Sequence, residues 1–246
     1  MLYNNMGNNI IKHKDNENEI IISSYNINLT YYSDYKCKNI IMYLNYYKYA
    51  IIGIQGIYNS DVFNIIKGKI AFPYIYHYNE IAILSFYEFI NIKYIKFNNG
   101  GILFGYVTIN NVSIMIYNLL FTYDTHYNDN SKIRCDQYDQ LKQLLYNNWR
   151  QYKNIKIHLV IGSLNMENIS NDFMIDIINY IGNDNLYTTI YKKKYDYIFL
   201  YNEDIINNNI NELLQSQGLS LVDCNVLYNL SFSTNYPCEV ILRHDI

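Results

Sequence analysis

Residues 156–165, Lys-Ile-His-Leu-Val-Ile-Gly-Ser-Leu-Asn, form a nearly unbroken apolar run that stops on a glycine and then offers an asparagine. A run this short and this apolar reads as a strand buried on both faces, which requires a sheet covered on each side. Gly162 permits a turn or a close backbone approach at the strand end. Asn165 falls at a sheet edge, where the sites of layered α/β folds gather, although an inner strand followed by an ordinary loop asparagine also fits the stretch.

The pattern recurs along the chain. Ile20 to Ile27 reads as a strand with Asn26 near its end, and apolar residues at Ile40, Ile41, Leu44 and Tyr47 keep close to helical spacing. Tyr49 to Gly56 is a second buried strand that stops on Gln55 and Gly56. Strand, helix and strand in that order indicate a layered α/β architecture. Val62 to Lys69 suits a short helix, and Ile81 to Tyr87 is a third apolar unit. Gly101 to Ile109 and Val112 to Tyr117 flank Asn110-Asn111, a two-residue hairpin connection. A polar loop, Asp124 to Ser131, leads into a helix from Lys132 to Tyr152 that carries the sole tryptophan, Trp149. Asn171 to Ile181 is expected to be a helix capped by Asn171 or Ser170. Tyr195 to Leu200 is a strand that sets Asp196 among aromatics, and Cys238 to Leu242 closes the chain. Neither a repeat nor a linker divides it, so residues 1–18 read as a flexible polar lead-in and 19–246 as one domain.

Composition narrows the function. The 246 residues include 30 Tyr and only 2 Pro, and the preference for Ile, Asn and Tyr has the mark of an AT-rich coding bias. Asn runs such as Asn207-Asn208-Asn209 therefore carry little meaning by themselves. With 19 basic and 22 acidic residues the net charge is −3, which gives no general electrostatic grip on nucleic acid. Lys192-Lys193-Lys194 is the one lysine triplet and suits a solvated loop or a local patch for nucleic acid or a membrane surface. Cys37, Cys135, Cys224 and Cys238 match no zinc spacing and read as free thiols. No stretch reaches transmembrane length and the first 19 residues lack a signal-peptide core, so the expectation is a soluble intracellular protein. His13 falls in the lead-in, His77 in an aromatic turn from Pro73 to Tyr78, and His158 inside a strand, where it reads as a hydrogen-bonded core histidine.

Seven segments, in order, resemble the motifs of the endonuclease/exonuclease/phosphatase family, which includes DNase I-like nucleases, inositol-phosphate phosphatases and neutral sphingomyelinases. Ser24-Tyr25-Asn26-Ile27 matches the first strand, whose asparagine faces the metal. Ile51 to Gly56 resembles the strand that normally ends Leu-Gln-Glu, and Ile81 to Tyr87 the Gly-Leu-Ala-Ile-Leu-Ser unit. Tyr117 to Phe121 sits on Asn-Thr-His-Leu, and Gly162 to Asn165 on Gly-Asp-Phe-Asn. Tyr195 to Phe199 sits on Ile-Asp-Tyr-Ile-Phe, and Ser233 to Pro237 on Ser-Asp-His-Tyr-Pro. The resemblance covers Ile20 to Leu242. It implies an α/β (α+β) fold of the DNase I-like four-layer kind, two β-sheets face to face with helices outside.

That family's chemistry uses a divalent ion, usually Mg²⁺, to polarise the phosphoryl oxygen, and an aspartate–histidine pair to activate water. Here the metal glutamate is replaced by Gly56, the first histidine by Leu120, the Gly-Asp aspartate by Ser163, and the final Asp-His by Thr234-Asn235. Asn26, Asn118, Asn165 and Asp196 survive, with Asn26 and Asp196 the remaining metal-facing candidates. Asp124-Thr125-His126 resembles a displaced Asn-Thr-His and makes His126 a further catalytic candidate. Asp61 could stand in as a metal ligand, and His244-Asp245 could supply a pair only if the tail folded back. Losses at catalytic positions cost factors of about 10² or more each. The expectation is a catalytically degenerate pseudoenzyme that needs no cofactor and acts by binding a protein partner or a phosphoester ligand. The alternative is a Mg²⁺-dependent phosphodiesterase, sphingomyelinase-like or nuclease-like, with a rearranged site.

Overall fold

The computed structural model describes residues 18–46, 50–97, 99–124, 128–166, 173–181, 188–189, 193–203, 209–227 and 235–245. Seventeen elements run in the order β1 (Glu19–Leu29), α1 (Asp34–Tyr46), β2 (Ile51–Ile57), α2 (Ser60–Lys67), β3 (Tyr74–Tyr78), β4 (Ile81–Ser85), β5 (Ile90–Phe97), β6 (Gly100–Ile109), β7 (Val112–Leu120), α3 (Ser131–Gln151), β8 (Ile157–Ser163), β9 (Met174–Asp176), α4 (Ile177–Tyr180), β10 (Asp196–Tyr201), α5 (Ile210–Ser216), β11 (Leu219–Val226) and β12 (Cys238–His244). They build two six-stranded mixed sheets, β11-β12-β1-β2-β4-β3 and β5-β6-β7-β8-β10-β9. Each sheet has one parallel pair, β1/β2 in the first and β7/β8 in the second.

Three apolar clusters make the four layers. Alternate residues of β1, β7, β8, β10 and β12, among them Ile22, Ile114, Ile116, Leu159, Ile161, Ile198 and Val240, meet between the sheets. Cys37, Ile40 and Leu44 of α1 and Phe63 and Ile66 of α2 cover the outer face of the first sheet. Leu141, Leu145 and Trp149 of α3 cover the second. Each large aliphatic or aromatic side chain buried this way contributes about 1.5–3 kcal/mol, and because both faces of the central strands are covered, those strands read as continuous apolar runs.

Local chemistry sets the element ends. Asn59 caps α2, its Oδ1 accepting from Val62 N at 3.1 Å. Asn110 and Asn111 have φ of 48° and 66°, the left-handed pair a two-residue hairpin between β6 and β7 requires. Gly162 has φ of 138° and lies so close to Leu119 O that any Cβ would overlap it.

The structure corrects several expectations. Of the helix expected from Asn171 to Ile181, only Ile177–Tyr180 is helical within the described residues; Met174–Asp176 is an edge strand on β10, and Asp176 is the cap, its Oδ1 accepting from Ile178 N at 3.1 Å. Asn171 and Ser170 lie outside the described residues. Pro73 to Tyr78 is no turn: Tyr74 to Tyr78 pair in register with β4. Strands β5 and β11 and helix α5 have no counterpart in the sequence reading. All four cysteines are free thiols, and only Cys135 is exposed. No helix among the described residues is long and apolar enough to cross a membrane.

Replacing Gly162 by Ala should destabilise the protein by about 3 kcal/mol, since it combines left-handed strain with backbone overlap at a closed β7/β8 ladder. Urea unfolding measures this, and a loss under 1 kcal/mol would show that the strand end yields.

Candidate active site

The inward-facing alternation that buries isoleucine along each strand turns polar at one end of the sandwich. Continuing from Ile20 and Ile22 it reaches Ser24 and Asn26; from Ile51, Gly53 and Gln55; from Ile114 and Ile116, Asn118; from Leu159 and Ile161, Ser163; and from Leu200 and Ile198 back to Asp196. The ladders bring these together, with Asn26 opposite Gln55, Leu120 opposite Ser163, and Ser163 opposite Asp196. Cys238, which starts β12, lies opposite Ser24 at the same end.

Asn118 is fully buried and spans the two sheets. Its Nδ2 donates to Ile54 O at 3.1 Å and to Ala82 O at 2.8 Å, and its Oδ1 accepts from Gln55 Nε2 at 2.6 Å. Gln55 Nε2 also donates to Ser24 Oγ and Gly53 O, both at 3.1 Å. Gly53 makes this approach possible, because a Cβ there would come within 2.6 Å of Ile161 Cδ1 and 2.8 Å of Asn118 Oδ1. With both functional ends of its amide engaged inside the sandwich, Asn118 is an inter-sheet tie.

Asn165, half-buried at φ 52°, donates from Nδ2 to Phe121 O at 2.7 Å and accepts from Ser163 Oγ at 3.3 Å. It joins the ends of β7 and β8. Asn26 is nearly buried and its Oδ1 accepts from Asn28 N at 3.2 Å. Gly56 sits beside it at φ 72°, and a Cβ on Gly56 would overlap Asn26 Oδ1.

Asp196 is 1% exposed. Asn235 Nδ2 donates to its Oδ2 at 2.7 Å, and Thr188 Oγ1 accepts from Asp196 N at 3.0 Å. Oδ1 is buried without a well-formed hydrogen bond. Burial pushes the Asp196 carboxyl up to about 6, against the smaller opposing pull of Asn235 and of the Ser163 and Thr188 hydroxyls beside it.

The other candidates lie elsewhere. His126 and Thr234 fall outside the described residues. Asp124 is drawn away by Arg134, with bonds of 2.6 and 3.0 Å that hold its carboxyl below the usual range. Asp61 is exposed in the first turn of α2. His244 contacts Asn110 O at 3.0 Å at the opposite end of β12, about 20 Å along the strand from Cys238. Lys194 bridges Asp176 Oδ2 and Asn179 Oδ1, both at 2.5 Å, so its charge is met internally. His158 is the core histidine the sequence suggested. Tyr117 OH lies 3.0 Å from Nδ1 and Ile155 O 3.2 Å from Nε2. A carbonyl can only accept, so Nε2 carries the proton and Tyr117 donates. Burial pushes this imidazole down to about 4.

No family model matches the chain and no curated protein matches it in sequence. Solved structures do match. Truncated Caenorhabditis elegans TDP2 aligns with a TM-score of 0.69 at 16% identity, over 92% of this chain and 98% of that one. The human Nocturnin catalytic domain with bound sulfate anion gives 0.66 at 14%, over 91% and 94%. SmcL gives 0.61 at 14%, over 92% and 99%. The chain has the DNase I-like fold. Its two mixed sheets and the helices outside them are those the sequence resemblance implied.

The Mg²⁺ associated with this fold does not suit the residues present. Mg²⁺ requires hard oxygen donors in octahedral array, ordinarily with a carboxylate. The glutamate position is Gly56, and the space of its Cβ is taken by Asn26. The amide oxygens of Asn26 and Asn118 each accept a hydrogen bond, and Asp196, the one acid among the described residues of this inner face, offers a single open oxygen, Oδ1, its Oδ2 being held by Asn235. Among the described residues, no cluster of three acidic, histidine or cysteine side chains could hold an ion.

Two outcomes follow. Asn118→Ala should cost about 3 kcal/mol in urea unfolding, because it takes two donated bonds from the Ile54 and Ala82 carbonyls and one acceptor from Gln55 inside the sandwich; a loss below 1 kcal/mol would remove its role as a tie. The second concerns pH. His158, lowered from 6.5 to about 4, withdraws stability as pH falls through that window. Asp196, raised from 3.8 to about 6, returns stability as pH falls from about 6 to 4. Each amounts to about 3 kcal/mol, so the two nearly offset. A His158→Gln variant should therefore gain stability between pH 6.5 and 4 relative to the wild-type profile, and an unchanged profile would refute the depressed imidazole.

Proposed function

We propose that this protein keeps the DNase I-like scaffold without its hydrolytic chemistry and acts by binding. The observation that carries this reading is the Asp196–Asn235 pair. By the motif resemblance, Asn235 stands where the family has the histidine of its acid–base pair, and the hydrogen bond to the buried carboxylate is kept at 2.7 Å. An amide does not titrate, so it cannot accept a proton from water near neutral pH. Paired with an amide in place of an imidazole, the buried aspartate also has no developing positive charge to stabilise. Polar side chains at the other positions serve the framework: Asn118 ties the sheets, Asn165 ties two strand ends, and Asn26 fills the space beside Gly56.

The partner is a protein or a phosphoester ligand, and the four free thiols suit a reducing, intracellular setting. The test is hydrolysis of DNA, sphingomyelin and a chromogenic phosphodiester with Mg²⁺ and with Mn²⁺, beside an Asn165→Ala, Asp196→Ala double variant. The expected result is no turnover above the double variant for any substrate. Turnover in the wild type that disappears in the double variant would establish a rearranged metal-dependent phosphodiesterase instead.

A further inference from the structure

The loops around the polar end carry an exposed aromatic rim. Tyr31 follows β1 and is 67% exposed, Tyr58 follows β2 at 38%, and Tyr123 follows β7 at 45%. They are neighbours in space as well. The β1/β2 ladder ends with Leu29 opposite Ile57, which sets the chain at Tyr31 beside Tyr58. The Tyr58 and Tyr123 rings meet edge to face at 6.0 Å, across the mouth between the two sheets.

Carboxylates stand among these rings. Ile57 N donates to Glu80 O at 2.9 Å, which holds the β3–β4 turn against the Tyr58 strand end. The Glu80 carboxylate is close enough to help push the Tyr58 hydroxyl up, after burial and Tyr123. Asp61 is exposed three residues beyond Tyr58. Among the described residues the nearby cations are matched: Lys36 Nζ donates to Asn28 O at 2.6 Å, Arg134 forks onto Asp124, and Lys193 also helps hold the Asp124 carboxyl down. Exposed tyrosine rings beside carboxylates present negative potential twice over, from the π-faces and from the acids.

We propose that this rim docks an arginine- or lysine-rich segment of a partner protein. The inference rests on the binding role proposed above and names the chemistry of its partner. Guanidinium groups stack on tyrosine faces while donating to carboxylates, which neither a phosphoester nor an acidic peptide can do. Tyrosine is also well suited to the task, since it offers large contact area with only two side-chain torsions to fix.

The experiment is fluorescence anisotropy with a labelled octa-arginine peptide, beside octaglutamate and a glycine-serine peptide of equal length. The proteins are wild type, Tyr58→Ser/Tyr123→Ser, Glu80→Gln/Asp61→Asn, and Phe86→Ser at the far end of the sandwich, each checked for an unchanged unfolding midpoint. Octa-arginine should bind, weakening with salt, at least tenfold more tightly to wild type and Phe86→Ser than to either rim variant; the control peptides should not bind. Because the charge variant leaves the rings in place, it decides the matter if the tyrosine variant unfolds. Equal binding to all four proteins, or none, would overturn the proposal, as would preferential binding of octaglutamate, phosphatidylcholine vesicles or oligothymidylate. Hydrolytic turnover alongside peptide binding would sink the pseudoenzyme reading alone, and absence of both would sink only this one.

Discussion

Two sheets packed face to face are held mainly by non-directional apolar contact, which fixes their separation better than their register. Here one buried amide pins the sheets to each other inside the polar end. Asn118 reaches from β7 to the carbonyls of β2 and β4 and accepts from Gln55, and it can do so because Gly53 has no side chain in the way. The tie lies in a low-dielectric interior, where a satisfied hydrogen bond is strong and an unsatisfied one is costly. The polar end of the sandwich, with its ladder partners Asn26–Gln55 and Ser163–Asp196, is aligned by that constraint.

The polar end is held together mainly by neutral hydrogen bonds. A site that manages a metal ion needs carboxylates arranged to repel one another until the ion arrives. Among the described residues, the inner face at this end of the sandwich holds mostly amides and hydroxyls bonded to one another, with one buried acid, Asp196, held on a single oxygen by an amide. Such a set contributes to folding, and the exposed aromatic side chains lie on the loops around it.

The sequence showed the central strands clearly because burial on both faces removes polar residues from them, leaving runs such as Ile51–Ile54 and Leu159–Ile161. It also located the polar ends of those strands, since each run stops on a distinctive residue. The edges were illegible for the converse reason. Strand β5 carries Lys93 and Lys96 and β11 carries Asp223, so neither offers an apolar run, and their pairing is set by neighbours far along the chain. The short edge strand β9 reads as helix because Asn171 and Ser170 offer cap residues upstream of it, whereas the cap in the structure is Asp176, immediately before α4. The role of Asn118 was beyond any local pattern: a catalytic asparagine and a structural one look alike until the facing sheet supplies the carbonyls.

The overlap between Gly56 and Asn26 bears on how such a chain can change over time. A carboxylate at residue 56 would need a side chain in a left-handed backbone conformation and in space that Asn26 occupies, so the first step back toward a charged site is harmful by itself. The compensating change at Asn26 would remove the residue that fills the gap, before any gain appeared. Neither order of single substitutions runs downhill. The glycine therefore acts as a ratchet that keeps residue 56 without a carboxylate.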